Sequence, residues 1–382
     1  MKNLNKIFFG PAGTGKTREA KLYSKESILK SELSFKELSN SELNIDGHSK
    51  TDSTFNELMK HINDVNYDID TIFQIPKYKG YLGDLKKEDI INYRAFPLIE
   101  TITFHQNYSY QDFIEGIFPE TNAKGEIEYR VKDGVFKKLC NRAIKNSNYN
   151  YVLIIDEVNR GNISAIFGEL FTLIEEDKRI GAENEMSINL PYSKDKKGNP
   201  QKLKVPDNLY IIATMNTVDK SLAMLDIALR RRFEFVECMP NYEVLKNIKV
   251  ESSNIELDKL LKMINGRISI LKNENYQIGH SYFLPKGFDK DNSNLKFNEL
   301  KEIFIYKIVP LLQEYFYADW KSICAVLNQS FENLKNGILK SESIGKEMFS
   351  KEFNELTEFK NQKVISVNRE FTEKDVIEIY EK

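Results

Sequence analysis

A glycine-rich segment near the start of the chain constrains the possible folds more than any other feature. Its eight residues are Gly10, Pro11, Ala12, Gly13, Thr14, Gly15, Lys16 and Thr17. They match the phosphate-binding pattern G-x-x-x-x-G-K-[ST], and they lie between the apolar run Ile7–Phe9 and a helical pattern over Arg18–Leu29. A simple glycine-rich turn is the alternative, but the strand–loop–helix context favours a site for a nucleoside triphosphate.

The chemistry of individual positions agrees with this interpretation. Glycines let successive backbone N–H groups point at phosphate oxygens, and the N-terminus of the following helix adds positive potential. The Lys16 ammonium would reach the β- and γ-phosphates, and the Thr17 hydroxyl would bind Mg²⁺. Such a loop contacts phosphates only, so it leaves open whether the base is guanine or adenine.

A strand that ends in two carboxylates is the second strong signal. The run Tyr151–Ile155 is apolar throughout, as expected for a strand buried on both faces of a parallel sheet. Ligands of open α/β sheets bind at the carboxyl ends of the strands. We therefore predict that Asp156 holds the Mg²⁺ hydration shell and that Glu157 polarises the water that attacks the γ-phosphate. Arg160 either forms an ion pair with Glu157 or senses the nucleotide.

Polar residues also follow a second predicted strand, Leu209–Thr214. Asn216 comes just after it and could hydrogen-bond the attacking water or the γ-phosphate. Three consecutive arginines, Arg230, Arg231 and Arg232, come later. Such a run is usually a solvated surface, but beside this constellation it favours a finger donated into the site of a neighbouring subunit.

Composition excludes several classes of protein. A length of 382 residues predicts two or three domains, and the apolar runs are too short to cross a bilayer. We expect no secretory signal, because the first apolar run leads directly into the glycine-rich loop. The three cysteines, Cys140, Cys238 and Cys324, are scattered, as in a protein of the reducing cytoplasm. A net charge of -2 gives no overall nucleic-acid signature.

The rest of the chain predicts a loop-rich insertion, a hairpin and a helical end. The insertion covers about residues 30–98 and includes a turn-containing loop at Tyr78–Gly83. A helix is predicted at Gln111–Ile117, and a β-hairpin at about residues 118–134 is either a solvent-exposed decoration or a surface for DNA or a partner. Asn162 is predicted to cap a helix that runs to about Glu176. Helices are predicted at Leu257–Leu271 and Asn298–Tyr317, the second interrupted at Pro310.

Taken together, these motifs resemble the McrB family, the GTP-hydrolysing AAA+ motor subunits of McrBC modification-dependent restriction systems. The resemblance extends from about Ile7 to Phe235 and, more loosely, through Ile278–Phe283 to the helical end. Its most specific part is the stretch Met215–Ser221. The motifs that carry it beyond the glycine-rich loop are Thr103–Tyr110, Asp156–Asn162, Met215–Ser221 and Leu229–Phe233.

The resemblance implies an α/β fold, with an AAA+ P-loop NTPase core of parallel sheet and flanking helices over residues 1–240 and a smaller, mostly helical lid over 241–382. It places Asn216 and Asp219 in the loop that positions nucleotide and water, and it makes Arg231 or Arg232 the finger that acts in trans. It also implies Mg²⁺, GTP or ATP as substrate, and a ring, expected to be hexameric. The expected partner is an McrC-like endonuclease, with DNA contacted indirectly or through the assembled complex.

Two departures from the family pattern qualify these expectations. Val218 and Lys220 replace the usual Ala and Arg, and Lys lacks the planar fork of Arg. The glycine-rich loop begins nine residues after Met1, so the N-terminal DNA-recognition domain of many members is expected to be absent, truncated or encoded elsewhere. An ATP-dependent AAA+ remodelling chaperone without a nuclease partner is the alternative function. A nucleotide-switched scaffold is a third, which the Asp156–Glu157 pair argues against.

Overall fold

The computed structural model describes residues 4–28, 54, 57–58, 61, 69–82, 98–218, 227–288, 294–343 and 363–381. These residues divide into two compact units. The first takes the described residues within Met1–Phe8, Thr17–Met215 and Lys220–Val236. The second takes those within Phe9–Lys16, Asn216–Asp219 and Glu237–Lys382. The glycine-rich loop therefore groups with the C-terminal part of the chain, whereas the sequence predicts a single division near residue 240.

A five-stranded sheet, in the order β2-β5-β8-β1-β9, is the centre of the α/β part. Its strands are β1 (Asn5–Gly10), β2 (Ile99–Thr103), β5 (Tyr151–Asp156), β8 (Leu209–Asn216) and β9 (Glu234–Glu237). β5 pairs in parallel with β2 on one side and with β8 on the other. The apolar residues of β5 and most of β8 are buried, as a parallel sheet covered on both faces requires.

Helices flank this sheet, and their apolar residues recur at helical spacing. In Val135–Lys145 the buried apolar residues are Phe136, Leu139, Cys140 and Ala143. They follow the i, i+3, i+4, i+7 pattern that puts side chains on one face of a helix. The described helices of the first unit are residues 16–28, Ile69–Gln74, Lys79–Leu82, Tyr110–Phe113, Val135–Lys145, Ile163–Phe167, Leu170–Leu173 and Ile227–Arg230, with 3-10 turns at Pro76–Tyr78, Val158–Arg160 and Glu176–Lys178.

Three sequence predictions in this unit are wrong in detail. Tyr78–Gly83 is not a loop in its described part, because 3-10 and α-helical turns cover Pro76–Leu82. The helix predicted over Gln111–Ile117 ends at Phe113, and strand β3 begins at Glu115. Asn162 does cap a helix, since its side chain accepts from the Ala165 N–H. That helix stops at Phe167, because Gly168 adopts a left-handed φ of 50°.

Two antiparallel hairpins extend from the α/β part. The first pairs β3 (Glu115–Thr121) with β4 (Ile127–Asp133), and the second pairs β6 (Ile188–Lys194) with β7 (Pro200–Leu203). The first hairpin occupies the position where the sequence predicts one. Its exposed apolar side chains include Tyr129, which is 75% exposed.

A buried ion pair fixes the base of the first hairpin. The Lys137 ammonium lies 2.8 Å from a carboxylate oxygen of Glu115, and both side chains are buried. Asp133 is a second anionic partner of Lys137, at 2.6 Å. Burial by itself would raise the pKa of Glu115, but hydrogen bonds from Lys137, Ser193 and the N–H groups of Tyr192 and Ser193 outweigh burial and lower that pKa. The carboxylate thus connects the hairpin to β6 and to a helix.

The C-terminal unit is mostly helical and has its own apolar core. Its described helices are Leu257–Leu271, Phe297–Ile303, Val309–Tyr315, Trp320–Val326 and Glu373–Ile377, with 3-10 turns at Tyr242–Leu245, Glu274–Tyr276 and His280–Phe283. Two short pairs accompany them, β10 (Lys249–Val250) with β11 (Asn294–Leu295) and β12 (Leu339–Ser343) with β13 (Lys363–Val367). The first of these helices has the predicted bounds.

The predicted interruption at Pro310 is present as a change of helix type. A π-helical turn, Phe304–Ile308, separates Phe297–Ile303 from Val309–Tyr315. Proline has no N–H to donate and its ring crowds the preceding turn. A wider turn just before Pro310 lets the chain continue as a helix, so the predicted break is a local widening.

Candidate functional site

Asp156, at the C-terminal end of β5, accepts hydrogen bonds from two hydroxyl groups. Thr17 donates to its Oδ1 over 3.3 Å, and Thr214 donates to the same oxygen. Thr17 begins the part of the first unit that follows the glycine-rich loop, and Thr214 lies on the neighbouring strand β8. The two predicted Mg²⁺ ligands, Asp156 and Thr17, are therefore in contact.

Glu157 has an unusual backbone conformation, which the same threonine supports. Its φ is 53°, in the left-handed region that costs a residue with a side chain about 1 kcal/mol or more. The Glu157 N–H donates to the Thr214 hydroxyl over 3.2 Å. This hydroxyl thus donates to Asp156 and accepts from Glu157, so it fixes the two adjacent acidic residues relative to each other.

Sequence reasoning missed Thr214 as a functional candidate. It is 2% exposed and reads as the last residue of an apolar strand. One signal could have identified it. Thr214 carries a hydroxyl group at the end of a predicted strand, and neighbouring parallel strands end at the same edge of the sheet. The strand that ends in Asp156 is such a neighbour.

Replacing Thr214 by Val removes both hydrogen bonds while preserving shape. We expect this variant to lower the rate of nucleotide hydrolysis by about tenfold or more, because Asp156 and Glu157 lose a shared positioning group. Thr214→Ser keeps the hydroxyl and should retain most of the rate. Steady-state phosphate release by the two variants, at matched folded fractions, checks this expectation. Equal loss in both variants would contradict it.

Arg160 contacts Glu157. Its Nε lies 3.4 Å from a Glu157 carboxylate oxygen, and about half of the Arg160 side chain is exposed. Of the two alternatives left open by the sequence, the ion pair is present. An exposed pair of this kind contributes at most about 1 kcal/mol to stability.

The second unit contains the glycine-rich loop with its lysine. The Lys16 ammonium donates to the carbonyls of Gly10 and Pro11, over 3.1 and 2.6 Å, and to Oδ1 of Asn216 over 3.2 Å. Two predicted site residues, Lys16 and Asn216, are therefore in direct contact. Asp219 lies outside the described residues.

The loop backbone is also bonded to a turn of the helical part. Gly279 donates its N–H to the Ala12 carbonyl and Ser281 donates to the Gly13 carbonyl, each over 3.0 Å. Gly13 has a φ of 76°, and a Cβ built on it would lie 2.7 Å from the ring of Tyr282. Only glycine suits Gly13, both for its backbone conformation and for the close ring.

The two candidate finger residues differ sharply in environment. Arg232 is 8% exposed and forms an ion pair with Glu175 at 2.7 Å, with its guanidinium also over the ring of Phe171. Arg231 is 68% exposed and lies 3.8 Å from Glu175. The Arg232 carbonyl accepts from the Asn5 side chain over 2.9 Å. Arg232 is thus held within its own unit, and Arg231 projects into solvent.

The α-helical lid domain of McrB matches residues 256–324 of this chain, and an AAA domain of the dynein-related subfamily matches residues 96–233. The chain is also 40% identical over 232 residues to the Type IV methyl-directed restriction enzyme EcoKMcrB subunit of Escherichia coli strain K12. The lid match and the identity over the AAA region together support an McrB-family protein. The predicted fold class is confirmed, since an AAA domain with a parallel sheet flanked by helices precedes a helical McrB lid domain.

A second relative is the Type II restriction enzyme BsuMI component YdiS of Bacillus subtilis strain 168, to which the chain is 29% identical over 158 residues. The first alignment covers 58% of this chain and 48% of the E. coli protein, and the second covers 35% and 46%. The chain therefore spans about half the length of these relatives.

Aromatic side chains of the predicted motif Thr103–Tyr110 take part in packing. Phe104 stacks on Tyr108, with ring centroids 5.0 Å apart, and it meets Phe113 and Phe167 edge to face. Burial raises the pKa of Tyr108 to about 12, so the phenol remains protonated at neutral pH. These contacts seat the segment that follows β2.

Basic side chains of the β3–β4 hairpin form ion pairs on its surface. Arg130 lies 3.5 Å from Glu120 and 3.1 Å from Glu128, and Lys132 lies 2.7 Å from Glu120. Arg130 and Lys132 are therefore already paired with carboxylates of the same hairpin.

The remaining described residues contain no group of three or more His, Cys, Asp or Glu side chains arranged to bind a metal ion. The cysteines, Cys140, Cys238 and Cys324, are buried thiols, and burial raises the pKa of Cys324 to about 11. No helix in the described ranges is long and apolar enough to cross a membrane.

Proposed function

We propose that this McrB-family chain is a nucleoside triphosphate hydrolysing AAA+ motor, driven by GTP, that powers an McrC-like endonuclease in the restriction of foreign or modified DNA. The observation that carries the proposal is the cluster of Thr17, Asp156, Thr214 and Glu157, in which a P-loop hydroxyl contacts the first of two adjacent carboxylates. The proposed domains are an NTPase domain over residues 1–240 and a lid region over residues 241–382, and the proposed location is the cytoplasm.

Mg²⁺ fits the donor set of this cluster. Thr17 and Asp156 supply hard oxygen atoms, and Mg²⁺ in nucleotide sites is bound by few protein oxygens together with phosphates and water. In this proposal Thr17 and Asp156 hold the ion, which would neutralise charge on the β- and γ-phosphates. Thr214 keeps the Asp156 carboxylate oriented through its hydroxyl.

Phosphate binding is assigned to residues 10–17, with Lys16 as the cationic group. Hydrolysis is assigned to Glu157, whose carboxylate would polarise the attacking water, and to Asn216, which would position it. The contact of Lys16 with Asn216 supports a joint role for these two residues. Asp219 is proposed to belong to the same water-positioning loop.

We also propose a ring, expected to be hexameric, in which an arginine acts on the site of the neighbouring subunit. Its exposure makes Arg231 the better candidate, since Arg232 is occupied by Glu175 and Phe171. A finger side chain must leave its own subunit to reach a neighbour. Arg232 would instead stabilise the segment that presents Arg231.

The proposal of an endonuclease partner draws on the two relatives, which are named as a subunit and a component of restriction enzymes. The carboxylate pair of this chain is assigned to nucleotide hydrolysis, and a nuclease needs metal-binding carboxylates of its own. DNA is therefore contacted through the assembled complex in this proposal. An ATP-driven remodeller without a nuclease partner is the competing function.

Steady-state hydrolysis of GTP and ATP, with and without a purified McrC-like subunit, tests the proposed function. We expect a preference for GTP of at least about tenfold, stimulation by the partner, and DNA cleavage only when the partner is present. A preference for ATP without any partner effect would favour the remodeller. Cleavage of DNA by the chain alone, retained after Asp156→Ala, would contradict the assignment of its carboxylates.

A further inference from the structure

A buried asparagine at the start of β1 contacts the backbone of the arginine segment, Arg230–Arg232. Asn5 is 4% exposed. Its side-chain nitrogen donates to the carbonyl of Arg232 over 2.9 Å and to the carbonyl of Ile174 over 2.8 Å. One amide group therefore joins the arginine segment to a second segment that is distant from it in sequence.

A buried arginine fixes the orientation of this amide. Arg179 is fully buried, and its Nη2 donates to Oδ1 of Asn5 over 2.7 Å. Because a guanidinium only donates hydrogen bonds, the amide oxygen of Asn5 faces Arg179 and the amide N–H groups face the two carbonyls. Burial lowers the pKa of Arg179 to about 10, which leaves its guanidinium protonated at neutral pH. The surrounding contacts thus determine that Asn5 is the donor toward Arg232.

The same two segments also meet through charged side chains. Glu175, which follows Ile174, lies 2.7 Å from Arg232 and 3.8 Å from Arg231. Arg232 is therefore held at its main chain by Asn5 and at its side chain by Glu175. The main chain of the adjacent Arg231 is positioned by these contacts, while its side chain is 68% exposed.

These contacts lie at the opposite end of β8 from the carboxylate pair. Arg179 donates to the carbonyl of Leu209, the first residue of β8. Along this strand Thr214 lies roughly 17 Å from Leu209, at about 3.3 Å per residue, and Thr214 donates to Asp156. The arginine segment is therefore anchored away from Asp156 of its own chain, which agrees with an arginine that serves a neighbouring subunit.

We propose that Asn5 is a positioning residue for Arg231, whose amide holds the main chain that presents this arginine to the nucleotide of the neighbouring subunit. The inference rests on the proposed function, since it requires a ring in which Arg231 acts in trans. Asn5 itself contacts no nucleotide in this proposal. A purely structural role for Asn5 is the alternative, and it would not confine the defect of an Asn5 variant to the finger.

Asn5→Asp removes the donor with little change of size. The aspartate keeps an oxygen that can accept from Arg179, but it places a second oxygen where the N–H groups of Asn5 face two carbonyls. Asn5→Ala removes the amide without adding a charge, and it replaces Asn5→Asp in the experiment if the aspartate variant does not fold.

Asn208→Asp is the matched control for destabilisation. Asn208 is also a buried asparagine, it directly precedes β8, and its amide nitrogen donates to backbone carbonyls outside the arginine segment. Its replacement by Asp therefore removes a buried amide donor at the same end of the strand without touching Arg231 or Arg232.

The test is GTP hydrolysis by single variants and by mixed assemblies, the latter verified by differential tagging. We expect Asn5→Asp alone to hydrolyse GTP about tenfold or more slowly than wild type, because a displaced arginine loses its alignment with the reacting phosphate. Its affinity for labelled GTP should equal that of wild type. Mixing with Lys16→Ala, which supplies intact fingers, should restore activity. Mixing with Arg231→Ala, which supplies intact pockets but no finger, should not.

Other outcomes would overturn the role of Asn5. Recovery with Arg231→Ala would place the defect in the nucleotide pocket, and no recovery with either partner would make Asn5 a structural residue. The same selective recovery by Asn208→Asp would show that destabilisation alone disturbs the finger.

A comparison with Arg231→Ala separates this inference from the proposed function. Wild-type hydrolysis by the Asn5 variants, when Arg231→Ala is inactive, would overturn only the role of Asn5. Wild-type hydrolysis by Arg231→Ala would overturn the trans finger of the proposed function and, with it, the role of Asn5.

Discussion

Replacing Glu157 by Gln is expected to suppress nucleotide hydrolysis by at least about a hundredfold, the usual contribution of a positioned general base. Nucleotide affinity should change little, because the variant neutralises only the carboxylate that is proposed to polarise water and leaves Lys16, Thr17 and Asp156 in place. Phosphate release measures the rate, and binding of a labelled nucleotide measures the affinity.

Two controls give this result its meaning. Glu157 also forms an ion pair with Arg160, so Arg160→Gln removes the pair while keeping the carboxylate. Lys16→Ala should weaken binding itself. If Glu157→Gln hydrolysed nucleotide at the wild-type rate, the role assigned to Glu157 would be wrong. If Arg160→Gln lost as much activity as Glu157→Gln, orientation by the ion pair would be the more important effect.

Arg231→Ala is expected to reduce hydrolysis by about a hundredfold or more, in line with the effect of removing an arginine that acts in trans. Its stability should be unchanged, because the side chain is 68% exposed. Arg232→Ala is the matched comparison. It should lower the melting temperature, because it removes the closer of the two cationic partners of Glu175 and a guanidinium packed over Phe171.

Mixing experiments test whether the finger acts between subunits. Arg231→Ala supplies intact nucleotide pockets, and Lys16→Ala supplies intact fingers. In a head-to-tail ring assembled at random from equal amounts, about a quarter of the interfaces combine both. Activity should therefore return on mixing, although neither variant is active alone. No recovery at any ratio, with mixed assemblies demonstrated by differential tagging, would contradict a shared site.

The sequence predicted those elements whose determinants are local. The apolar run before Asp156 and the helix Leu257–Leu271 carry their own periodicity, and both have the expected position. Asn162 caps its helix as predicted because an N-cap requires only the next three residues. Three consecutive arginines in the sequence do not reveal that Arg231 is exposed and Arg232 is buried. This difference depends on contacts with Glu175 and Phe171.

The wrong predictions and the missed residue concern features that the local sequence pattern does not determine. The helix after Asn162 ends before Gly168, although apolar residues continue at helical spacing beyond it. Its end is set by the left-handed backbone of Gly168, which the spacing of apolar residues does not reveal. Ile117 fits the helical pattern but pairs with Val131 in a hairpin. Thr214 became a candidate only when the pairing of β5 with β8 was known. In each case a contact distant in sequence, or a single backbone angle, decided the outcome.

The close approach of Gly279 to the glycine-rich loop limits which lid domains of relatives could replace the lid of this chain. A Cβ built on Gly279 would lie 1.9 Å from the Gly13 carbonyl carbon, so a methyl group at position 279 would require the loop to move. Recombination near residue 240 would separate the codons for Gly13 and Gly279. A chimaera would keep the loop geometry only if the incoming lid also carried glycine at the position facing Gly13. The lid of such a chimaera must therefore fit the backbone of the glycine-rich loop at Gly13.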